Sequence, residues 1–71
     1  MRAMTEEQAL SLAYEKAGSA TKLADYLGIT VQAVSQWRRA PVGRVLEIER
    51  ITGVSRHDLR PDIYGPPSEA A

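Results

Sequence analysis

The chain has 71 residues, no cysteine, and nine basic against nine acidic side chains, so its net charge is zero. This predicts one small domain that buries only about 60% of its unfolded surface, and excludes both disulfide and thiolate-metal reinforcement. No apolar run approaches the roughly 20 residues of a membrane span and the amino terminus lacks a secretory apolar region, so a soluble cytoplasmic protein is expected.

In chain order, the first helix is expected from about Glu6 to Ala17. Thr5 and Gln8 have the spacing of a capping box, and Glu6 and Glu7 suit the positive end of the helix dipole. Ala9, Leu10, Ala13 and Ala17 form its narrow apolar stripe, with Tyr14 at the margin, and Gly18 supplies the stop. Ser19 is the expected N-cap of a second helix, Ala20 to Leu27, whose Leu23, Ala24 and Leu27 face inward. Gly28 allows a sharp turn, and Thr30 then caps a third helix from Val31 to about Arg39, ended by Pro41.

A fourth helix is expected over Val42 to Thr52, with Gly53 after its end. Its apolar residues Val42, Val45, Leu46, Ile48 and Ile51 spread over more than one face, which calls for cover on two sides. The core supplies one cover, and a partner subunit could supply the other. Ser55 and Asp58 suggest one more short helix around Arg56 to Leu59. From Pro61 the chain reads as extended, free to pack on its own domain or to reach across to a second subunit. The expected organisation is one domain over residues 1–64 and a disordered tail over 65–71. The fold class is therefore all-α: a compact bundle of about five short helices.

The informative stretch is the second and third helices with the glycine turn between them. Small Ala24 permits a close crossing, and Leu23, Leu27, Ile29, Val34 and Trp37 form the wedge of core beneath the turn. Trp37 could serve as a base-stacking platform, but its spacing from Val34 places it in the core. The opposite face of the third helix carries Gln32, Ser35, Gln36 and Arg39, the i, i+3, i+4, i+7 set of one helical stripe. Such a pattern reads as a helix-turn-helix, with the third helix in the major groove of duplex DNA.

Gln32 and Gln36 can pair with adenine N6 and N7, and Ser35 with either base type or a phosphate. Val31 either packs on the second helix or meets a thymine methyl group. The base-contact set is thus Val31, Gln32, Ser35, Gln36 and Arg39, against the alternative of a solvated helix face. Phosphate contacts are expected from Thr21 and Lys22 at the start of the second helix, and from Thr30, Arg38 and Arg44 around the third. Charge distribution supports this assignment more than the zero net charge does. From Thr30 to Leu46 the only charged residues are Arg38, Arg39 and Arg44, whereas Glu47 to Ala71 holds three arginines and five acids. Lys22 and Arg44 can also be read as solubilising charges.

His57, the single histidine, has no second histidine or cysteine with which to complete a metal site, and neither a nucleophile nor an orienting group is apparent for it. Glu47 and Glu49 fall on different helical faces, and no phosphate loop or other catalytic signature is present. The expectation is no enzyme, no cofactor, no metal and no small-molecule substrate.

The run from Thr21 to Trp37 (TKLADYLGITVQAVSQW) resembles the helix-turn-helix of phage Cro and CI-type regulators. More narrowly, it is similar to YdaS-type proteins, described as antitoxins or Cro-like repressors. The likeness continues through Arg44–Glu49 and through Thr52–Tyr64, whose Ser-Arg-His-Asp-Leu-Arg-Pro-Asp-Ile-Tyr ending is more discriminating than a generic helix-turn-helix. The resemblance implies a lambda-repressor-like fold that binds duplex DNA as a dimer, in a prophage or mobile-element setting. Two positions depart from it. Many relatives carry a backbone-contacting glutamine where Ala20 stands, and often a polar residue where Val31 stands.

The expected function is a sequence-specific transcriptional regulator, a Cro-like repressor acting as a homodimer on operator DNA. The alternative is an antitoxin whose main partner is a toxin protein, with DNA binding serving autoregulation.

Overall fold

The structure is a computed structural model and describes residues 4–66. Six short α-helices follow one another: α1 (Glu6–Ala17), α2 (Ala20–Leu27), α3 (Val31–Ser35), α4 (Val45–Thr52), α5 (Arg56–Leu59) and α6 (Pro61–Tyr64). A 3-10 turn over Val42–Arg44 leads into α4. Among the described residues there is no strand. α1 is the hub and packs against α2, α4 and α5, while α2 packs against α3.

Side chains close the helix starts as the sequence requires. Thr5 Oγ1 accepts from the Gln8 amide at 3.0 Å, and Gln8 Oε1 accepts from the Thr5 amide at 2.8 Å. Ser19 Oγ accepts from the Lys22 amide at 3.1 Å, and Thr30 Oγ1 from the Ala33 amide at 3.2 Å. Each cap satisfies an otherwise orphan amide and stabilises its helix by about 1 kcal/mol. This matters for α3, because five residues cannot hold a helix by propagation alone. Gly28 turns the chain between α2 and α3 in the left-handed region, at φ 74°. Its amide and that of Ile29 return to carbonyls of Asp25 and Ala24.

The core joins Ala9, Leu10 and Ala13 of α1 to Leu23, Leu27, Ala40, Val45, Ile48, Val54 and Leu59. Ala24 and Val34 are buried too, on the two helices of the turn. Fully burying a leucine or isoleucine contributes about 1.5–3 kcal/mol, so Leu23, Ile48 and Leu59 dominate so thin a core. Trp37 and Ile29 pack against it while remaining half-exposed. Of the broad apolar surface of the fourth helix, Val45 and Ile48 are buried and Ile51 half-buried. Val42 (57% exposed) and Leu46 (52%) remain uncovered, one turn apart.

Three expectations are corrected. The third helix ends at Ser35 instead of about Arg39. Its last amides close tightly, Gln36 to the Ala33 carbonyl and Trp37 to the Val34 carbonyl, and the Tyr14 hydroxyl donates to that same Val34 oxygen at 3.3 Å. Packing of Trp37 on the core then draws the chain off the helical path well before Pro41 acts. The expected extended segment after Arg60 is instead a turn of helix, α6, with Pro61 at the first position, where its missing amide costs nothing. The fourth helix begins as the 3-10 turn, becoming α-helical only at Val45.

Of the expected tail, Gly65 is tied back: its amide donates to the Pro61 carbonyl at 2.9 Å, and its carbonyl lies 3.2 Å from His57 Nδ1. From residue 67 onward the tail lies outside the described residues.

Candidate nucleic-acid interface

The turn between α2 and α3 presents one face of α3 outward. Gln32, Ser35 and Gln36 are exposed, and Val31 is half-buried. Neither glutamine amide has a side-chain partner among the described residues, so each keeps its two donors and its acceptor. Ser35 Oγ donates to the Gln32 carbonyl at 2.9 Å, which spends its proton within the helix and leaves the oxygen as an acceptor.

Arg39 does not extend this face. Because α3 stops at Ser35, Arg39 lies in the segment after the helix and pairs with Glu6 at 3.3 Å and Asp62 at 3.8 Å. The i, i+7 relation to Gln32 that suggested a base contact is therefore absent from the backbone.

The residues expected to meet phosphates differ in their freedom. Thr21 and Lys22 are exposed on the first turn of α2. The Lys22 stem lies over Gly18, where an added Cβ would come within 3.0 Å of Lys22 Cδ. Thr30 is exposed, with its hydroxyl occupied as the α3 cap. Arg38 is exposed and makes no ion pair among the described residues, whereas Arg44 is held by Glu47 at 3.3 Å. Of the cations expected to meet phosphates, Lys22 and Arg38 are thus the two without an ion pair among the described residues.

Four residues unremarked as contributors to this region shape it. Tyr14 caps the end of α3, and burial pushes its phenol above the usual value. Arg60, the one buried charged residue among those described, forms a two-pronged pair with Asp62. That pairing holds the Asp62 carboxyl down to about 2. Glu6 receives Arg39. The sequence signal for the pair was Arg60-Pro61-Asp62, in which proline starts a helical turn between opposite charges. His57 sits beside Gly65, and no group of three or more metal-ligating side chains occurs among the described residues.

Fold and exposed face together define a small all-α bundle organised around a helix-turn-helix. The sequence model of the family described as "Bacterial toxin YdaS" matches residues 10–68, and the chain belongs to that family. No curated protein and no solved structure is matched. Among the described residues no helix is long and apolar enough to cross a membrane.

Proposed function

We propose that this protein is a sequence-specific duplex-DNA-binding transcriptional regulator, a Cro-like repressor of a prophage or mobile-element promoter, working in the cytoplasm. α3 enters the major groove, Gln32 and Gln36 read base edges, and Lys22 and Arg38 bind flanking phosphates. The observation that carries the reading is the pair of exposed, unpartnered glutamines, one on the helix that follows the Gly28 turn and one at its C-cap. Amides at this spacing on one helical face suit adenine's N6 and N7. The neutral body with few free cations predicts weak non-specific affinity, leaving discrimination to the bases.

A second copy would place two such helices in successive major grooves, roughly 34 Å apart on a palindromic site. Val42 and Leu46 offer an uncovered apolar face for that contact. The protein acts by binding, without enzymatic chemistry.

Fluorescence anisotropy with duplex from upstream of the protein's own gene, against a scrambled duplex at two salt concentrations, tests the proposal. Tight, salt-sensitive binding to the upstream duplex alone is expected. Equal weak binding to both would overturn it.

A second reading is favoured by the family's description as a toxin and by the uncovered Val42 and Leu46: a member of a toxin–antitoxin pair whose main partner is a protein. Under that reading the purified complex with the neighbouring gene's product forms without DNA.

A further inference from the structure

The segment that leaves α3 is held by the carboxy-terminal turn. Arg60 is 7% exposed, and its guanidinium uses all three nitrogens: Nε donates to Asp62 Oδ1 at 3.0 Å, Nη2 to Asp62 Oδ2 at 2.8 Å, and Nη1 to the Ala40 carbonyl at 3.0 Å. Ala40 is fully buried and lies in the non-helical stretch between α3 and the turn at Val42. A buried carbonyl outside regular structure requires a donor, and Arg60 supplies it. A buried guanidinium in turn requires a counter-charge, and Asp62 supplies that. Asp62 also lies 3.8 Å from Arg39 Nη1, so the carboxylate touches the same segment a second time.

A staple for stability would account for these bonds. What points further is the stretch they fix. Residues 36–40 begin with Gln36 at the end of α3, pass through unpaired Arg38 and finish at the clamped carbonyl.

We propose that Asp62 is a positioning residue for the DNA-facing surface. It orients Arg60, and Arg60, through the Ala40 carbonyl, sets the course of residues 36–40 and so the placement of Gln36 and Arg38. Pro61 fixes the geometry by starting the α6 turn between the two charges. Asp62 touches no DNA itself. The proposal rests on the DNA-binding reading, but its structural half can be measured without DNA.

Asp62→Asn keeps the size and removes the charge, and Asp62→Glu restores the charge on a longer arm. Trp37, the single tryptophan, lies in the held segment and reports on it by fluorescence. In Asp62→Asn, Trp37 emission is expected to move to longer wavelength and the hydrogen-bonded Gln36 and Trp37 amides to exchange several-fold faster, with helicity retained. Affinity for the upstream duplex, corrected to the folded fraction, is expected to fall several-fold, and Asp62→Glu should recover part of each change. Lower thermal stability alone, with emission, exchange and corrected affinity at parental values, would overturn the proposal. If the parent binds no duplex, the DNA reading fails separately, and emission and exchange still decide whether Asp62 sets this segment. Should Asp62→Asn fail to fold, Arg60→Lys carries the same comparison, because a lysine cannot span Asp62 and Ala40 together.

Discussion

The Tyr14 hydroxyl donates to the Val34 carbonyl at 3.3 Å, tying the last turn of α1 to the last turn of α3. The same oxygen accepts from the Trp37 amide at 3.0 Å. One carbonyl therefore ends the exposed helix and anchors it to the hub of the bundle. Tyr14→Phe keeps the ring and removes the outer bond. Because the oxygen retains the Trp37 amide and the lost bond is long, the cost is expected near about 0.5 kcal/mol, the low end for a hydrogen bond. Thermal melting should show a small loss. Amide exchange at Gln36 and Trp37 should quicken more than exchange in α1, and uniform acceleration would sink this account of how α3 ends.

Gln32 and Gln36 stand outside the packing, so their joint replacement by alanine should leave the melting temperature nearly unchanged. Each bidentate base contact is worth about 1–3 kcal/mol of discrimination. Gln32→Ala with Gln36→Ala is therefore expected to bring upstream and scrambled duplex to the same weak affinity in anisotropy titrations. Retained preference would return both residues to the status of a solvated face.

Arg38 and Arg39 are neighbours in sequence with different structural fates. Arg38 is unpaired, and Arg39 is held by Glu6 and Asp62. Arg38→Ala is expected to weaken binding to both duplexes alike and to lower the salt slope by about one phosphate contact. Arg39→Ala should leave the ratio between the duplexes intact and cost at most about 1 kcal/mol of stability, as exposed ion pairs do. Loss of discrimination in Arg39→Ala would restore it as a base reader.

Local chemistry made much of this fold legible in the sequence. The caps at Thr5, Ser19 and Thr30 and the turn at Gly28 depend on residues within five positions of one another, and all form as the sequence requires. The outward set Gln32, Ser35 and Gln36 followed from helical period alone and is exposed. What failed was set by distant contacts. The period continues unbroken to Arg39, yet Tyr14 and the packing of Trp37 end the helix at Ser35. Prolines mislead in a related way. Pro41 disfavours helix at the residue before it, but the stop falls earlier. Pro61 suggested an extended chain, yet it starts a helical turn in which Arg60 and Asp62 meet. No local rule announces that Arg60 reaches Ala40, twenty positions back.

Acid should remove the contribution of the Arg60–Asp62 pair only below the ordinary carboxylate range. Hydrogen bonds from Arg60 hold the Asp62 carboxyl near 2, below its ordinary value of 3.8. A carboxyl depressed in the folded state stabilises the fold fully above its unfolded value, and that contribution is lost as pH falls through the folded value. The window therefore runs from about pH 4 down to about pH 2. Thermal melts of the parent should fall steeply through this window. Asp62→Asn, lower in stability at neutral pH, should fall less, so the two curves converge toward pH 2. Parallel curves would mean that the pair adds nothing to the fold in its ionised form. Arg60 stays charged throughout, so convergence reports the carboxylate alone, and repeating the melts in high salt separates the bond from general charge repulsion. The direct two-pronged bond should resist screening, whereas the longer Arg39 contact at 3.8 Å should not.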